Sequence, residues 1–233
     1  MDVWTRRLPI LSRSARLLEM NPPVPPLVQT INPTFEALNQ LVLELNVRWQ
    51  MFDELYSEAE NYEVLNRTGA NFWGTLHNTL VDDIMMAISR YLDPAKMGKN
   101  DNFSLAAIIA LPEVAAFRDD LQKRLDAINL IWSRGVKDWR HKRLSHSDMA
   151  TTLGNNTLPT VPFTEIKELV DGITSFAREI THQVLHFDQS FRCSITGWVP
   201  QVLRYLKLGV EKTDENRLKA YGGKLPTPDP ELD

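Results

Sequence analysis

Apolar residues recur along this chain at steps of three and four, the period of a helix that buries one face. The first such run follows Asn32-Pro33, a capping residue with proline at the first helical position. It carries Phe35, Leu38, Leu41, Val42, Leu45, Trp49, Phe52 and Tyr56. A second helix is predicted from about Tyr62 to Tyr91, with Val64, Leu65, Phe72, Trp73, Leu76, Leu80, Ile84 and Ile88 on its inner side. Asp93-Pro94 stops it, and Gly69 and Gly74 predict a kink or two segments. Residues 94–104 read as a polar loop and Leu105–Leu111 as a short apolar turn. Pro112-Glu113 opens a third helix through Val114, Phe117, Leu121, Leu125, Ile128 and Trp132, expected to continue into the basic run Arg134–Arg143.

Asn155, Asn156, Pro159 and Pro162 mark the next break. A fourth helix is expected with its cap near Thr164, bearing Ile166, Leu169, Val170, Ile173, Phe176, Ile180, Val184 and Phe187. A short last helix is expected around Pro200–Leu208. Strand-like alternation is scarce and no internal repeat is visible, so the fold class is all-α: an antiparallel bundle of four long helices plus short extra helices. Three parts follow: a basic N-terminal segment with a proline-rich connector over 1–31, a helical domain over 32–208, and a polar tail over 209–233 expected to be flexible.

Composition narrows the class. With 233 residues, 43% hydrophobic and 24% charged, the chain suffices for one good-sized domain and is not globally disordered. Its longest apolar stretches, such as Ile84–Ile88, fall far short of a membrane span. Arg6, Arg7, Arg13 and Arg16 are not followed by the continuous apolar core of a secretory signal, so a cytoplasmic location is expected. The single cysteine, Cys193, excludes an internal disulfide and fits a reducing compartment. A net charge of −4 means that any contact with nucleic acid must come from a local basic patch.

Candidate chemistry concentrates in Trp139-Arg140-His141-Lys142-Arg143-Leu144-Ser145-His146-Ser147-Asp148. This segment resembles the motif of HEPN domains: an arginine, a polar residue, and a histidine after a short gap, with His141 in the polar position. Phe72-Trp73, Ser89-Arg90-Tyr91-Leu92-Asp93 and Asn102-Phe103-Ser104-Leu105 resemble the abortive-infection U-type branch of these proteins. The resemblance covers roughly residues 35–190 and implies a HEPN-type bundle. It also implies a metal-independent endoribonuclease acting in antiphage defence or as a toxin, with two motifs facing one cleft in a homodimer.

The chemistry agrees with that expectation. Internal cleavage of RNA requires the 2′-hydroxyl to lose its proton and attack the neighbouring phosphorus. An imidazole titrates near neutrality and moves protons, whereas a guanidinium stays charged and grips phosphate oxygens in a fork. Neither step needs a metal, and no carboxylate cluster of the two-metal kind is present, so no cofactor is expected. Within one regular helix Arg140 and His146 would stand roughly 120° apart around the axis and about 9 Å along it, too far apart to grip one phosphate together. The expected roles are His146 as acid or base, Arg140 on phosphate, and His141 orienting or binding substrate.

Arg134, Lys137, Lys142 and Arg143 are candidates for tracking the RNA backbone. Each taken singly is more often an ordinary solvated surface charge, and positive side chains near a helix C-terminus complement its dipole. Asp82, Asp83, Ser147 and Asp148 are candidate supports for the arginine or histidines; a carboxylate pair on a helix more often faces solvent or forms a structural ion pair. His182 and His186 share a helical face at i and i+4 but lack a third ligand, so no metal site is expected. The competing reading is a non-catalytic HEPN protein that binds RNA, a nucleotide or a partner such as an antitoxin or nucleotidyltransferase. A structural helical dimer with no ligand is the blandest alternative.

Overall fold

Proline at the first position fixes the start of helix α1, Pro33–Tyr56, which buries Phe35, Leu38, Val42, Leu45, Trp49, Phe52 and Leu55 on one side. The computed structural model describes residues 33–140, 160–191 and 197–221. Two compact units divide at Pro33/Thr34, and every described residue except Pro33 belongs to the second. Asn32, the arginine-rich N-terminal segment, the break at Asn155–Pro159, Cys193 and residues 222–233 lie outside the described residues.

Helix α2 runs from Ala59 to Leu92, starting three residues before the expected Tyr62, with its kink at Gly69 (φ 153°, ψ 69°). Gly74 stays helical. Past the kink Phe72 is left 65% exposed, against the expectation that it lies on the inner face. Within the polar loop a minimal antiparallel hairpin pairs β1 (Lys96–Met97) with β2 (Asn100–Asp101). The apolar turn that follows is a short helix, α3 (Leu105–Ile109), capped by the Ser104 hydroxyl, which accepts from the Ala107 amide.

The expected third helix is divided. Pro112–Phe117 forms a 3-10 turn, α4 spans Arg118–Trp132, and α5 is a separate short helix, Val136–Arg140. Gly135, at φ 139°, makes the turn between the last two. Helix α6, Phe163–Leu185, begins at Pro162 rather than near Thr164. No side chain caps it; Phe163 instead seats against Trp49 and Phe52, with ring centroids 4.6 and 5.2 Å away. It ends where His186 turns left-handed (φ 55°), which leaves Phe187 off the helix and exposed.

The last helix, α7, is long, Trp198–Ala220, and passes well beyond the expected end at Leu208. Val199 and Leu203 bury against α2, while Lys207–Glu60 (2.8 Å) and Arg67–Asp214 (2.6 Å) tie the two helices along their length. The described architecture is all-helical apart from the hairpin, as expected, but α7 adds a fifth long helix.

The core lies where α1, α4 and α6 meet the second half of α2. Two polar pairs cross it: Thr181 donates to Asn39 Oδ1 at 2.9 Å, and Asn46 donates to Thr174 at 2.8 Å. Burying an unpaired polar group costs about 1–3 kcal/mol, so these pairs fix the register of α1 against α6. Gly172 completes the packing, since a Cβ there would sit 2.9 Å from Cγ1 of Ile128 on α4. Among the described residues no helix is long and apolar enough to cross a membrane.

Candidate active site

Arg140 is the last residue of α5, one residue beyond Trp139. Buried Val136 anchors this helix, and the break at Gly135 lets it leave the direction of α4 and pack on α2. Arg140 is half-buried, with its Nε shielded from solvent, so its planar head is held close to the protein surface. Lys137 is exposed on the same short helix, and exposed Arg134 lies 4.0 Å from Glu168 of α6. His141, Lys142, Arg143, His146, Ser147 and Asp148 lie outside the described residues.

The two candidate carboxylates part company. Asp82 is half-buried, with Oδ1 shielded from solvent. It sits on the same turn of α2 as Val81 and Met85, both of which share a cavity with Trp139. Asp83 turns toward α1, where Arg48 binds it at 2.6 Å beside a separate hollow. Asp83 is thus engaged by α1, whereas Asp82 lies within one turn of two residues that line the cavity beside Trp139. His182 is exposed on α6, and the left-handed turn at His186 removes the helical register that would put the two histidines on one face. Among the described residues no group of three or more histidine, cysteine or acidic side chains is placed to hold a metal.

The cavity beside Trp139 measures about 380 Å³ and is lined by Phe52 of α1, by His77, Val81 and Met85 of α2, by Trp139, and by Thr160, Val161, Phe163 and Ile166. His77 was not among the residues singled out from the sequence. Its half-buried ring lies 5.1 Å from Phe52, 4.9 Å from Tyr56 at a near-perpendicular angle, and 6.4 Å from Tyr62. Tyr56 donates its hydroxyl to the Trp73 carbonyl at 2.9 Å. Burial, with a smaller contribution from Tyr62, pushes the Tyr56 phenol up to about 12, so it is neutral across the physiological range. The signal for His77 was its position: steps of three and four residues link Trp73, His77, Leu80 and Ile84 along one face of α2. A polar ring inside an apolar stripe marks an inward-facing group.

The basic end of α5 thus adjoins in sequence the tryptophan of a ring-lined hollow. A family model of the HEPN type, described as AbiU2, matches residues 30–191. The matched stretch takes in α1 through α6, the cavity and the whole segment from Trp139 to Asp148, and it stops short of α7. No curated protein and no solved structure matches the chain.

Proposed function

The chain belongs to the HEPN family described as AbiU2, and we propose that it works as a metal-independent endoribonuclease in abortive-infection defence or as a toxin. The observation that carries this reading is the family match across Arg140–His146, a segment whose residue types suit phosphodiester cleavage. In the proposed reaction His146 takes the proton from the 2′-hydroxyl or returns one to the leaving 5′-oxygen. Arg140 holds the phosphate and offsets the charge that gathers on it, and His141 orients the substrate. Lys137, Lys142 and Arg143 draw in the RNA backbone.

A homodimer completes the site, because two motifs facing one cleft supply the catalytic groups that one helical segment spreads apart.

Incubation of the purified full-length protein with end-labelled mixed RNA in excess chelator tests the reading. The expected outcome is cleavage by the wild type, with a loss of about 100-fold or more in Arg140→Ala and His146→Ala, while circular dichroism and sedimentation remain unchanged. Undiminished cleavage in either variant would remove that residue from the site. RNA that is bound but left intact would instead support the non-catalytic, RNA-binding reading.

A further inference from the structure

We propose that the cavity beside Trp139 receives one unstacked nucleobase of the substrate, an inference that rests on the ribonuclease reading above. Its volume of about 380 Å³ lies in the range of small-ligand pockets. Among the described residues the lining contains no lysine, arginine, aspartate or glutamate, which suits a neutral, planar occupant. Arg140, which carries a guanidinium, directly follows the lining residue Trp139 in the chain. A guest with an uncharged planar body for the hollow and an anion joined to it matches both features, and a nucleotide within a strand has that form.

The walls suit a base. Phe52, Phe163, Trp139 and the His77 imidazole offer ring surfaces, and Val81 and Val161 close the remaining sides. Single-stranded RNA is commonly recognised by splaying a base out and stacking it on such rings. Polar selectivity would come from His77. Its neighbours are the rings of Phe52, Tyr56 and Tyr62, and among the described residues it makes no hydrogen bond. An imidazole nitrogen can donate to or accept from a base edge, and the exposed Thr160 at the rim adds a hydroxyl. Seating the base here would set the register of the strand and bring its phosphate to Arg140, so the cavity selects where the RNA is cut.

The test uses an eight-nucleotide RNA made uncleavable by 2′-fluoro sugars, with an abasic residue walked through each position. Binding to the full-length protein is followed by fluorescence anisotropy at low salt. An abasic residue at one position is expected to weaken wild-type binding about tenfold or more, the worth of one stacked base. Val81→Trp and Val161→Trp, which fill the hollow from α2 and from the segment before α6, should bind the intact RNA as weakly as the wild type binds that abasic RNA, and should be indifferent to the abasic change. RNA binding with no sensitive position, or sensitivity preserved in both filled variants, would overturn the base pocket and leave the ribonuclease reading in place. Failure of the folded wild type to bind RNA at all would overturn that reading and this inference together.

Discussion

Tyr56 shows how one side chain joins stability to the site. Its hydroxyl is spent on the Trp73 carbonyl, its ring forms the edge of the surroundings of His77, and burial keeps its phenol protonated up to about 12. Burial likewise raises the Tyr91 phenol. A phenol whose folded value exceeds its ordinary 10.0 contributes stability that is fully present below pH 10 and lost as pH rises through the folded value. The thermal midpoint should therefore fall between about pH 10 and pH 12, and Tyr56→Phe should flatten that fall. The same variant should cost about 1 kcal/mol at neutral pH through the lost hydrogen bond. A pH dependence identical to wild type would contradict this account of Tyr56. At this scale the site was only partly legible. Arg140 is proposed from the motif, but His77 stands alone in sequence, and only the convergence of α1 and α2 gives it ring neighbours.

Among the elements, the tightest joint is between α4 and α6 at Gly172 and Ile128. Gly172→Ala gains about 1 kcal/mol in helix propensity, but its Cβ would lie 2.9 Å from Ile128, and such overpacking costs about 1–3 kcal/mol. Denaturant unfolding should show Gly172→Ala to be destabilising in the wild type and stabilising in an Ile128→Ala background, where the obstructing atoms are gone. Equal effects in both backgrounds would show that the two helices give way at this point. The faces of α1, α4 and α6 could be read from periodicity because packing there is apolar and regular. The division of α4 from α5 could not, since buried Val136 and half-buried Trp139 continue the apolar pattern across Gly135. The length of α7 was hidden for the opposite reason. Its distal half is polar and is joined to α2 by an ion pair from Arg67 to Asp214, a partner distant in sequence that no local pattern announces.

For the whole molecule, a net charge of −4 means that the proposed attraction to RNA rests on local groups, and the basic segment around Arg140 is the proposed source of them. The family match encloses that segment and the adjoining cavity, while α7 lies beyond it as an addition strapped to α2. A single motif supplies one arginine and two histidines, and the proposed dimer doubles them at one cleft. The most direct test of that chemistry is the structure of the RNA ends produced by the wild type in excess chelator, beside those from Arg140→Ala and His146→Ala. Attack by the 2′-hydroxyl leaves a 2′,3′-cyclic phosphate on one fragment and a 5′-hydroxyl on the other, and these ends should appear with the wild type and vanish with both variants. Fragments ending in a 3′-hydroxyl and a 5′-phosphate, or cyclic ends that persist in the variants, would contradict the proposed site.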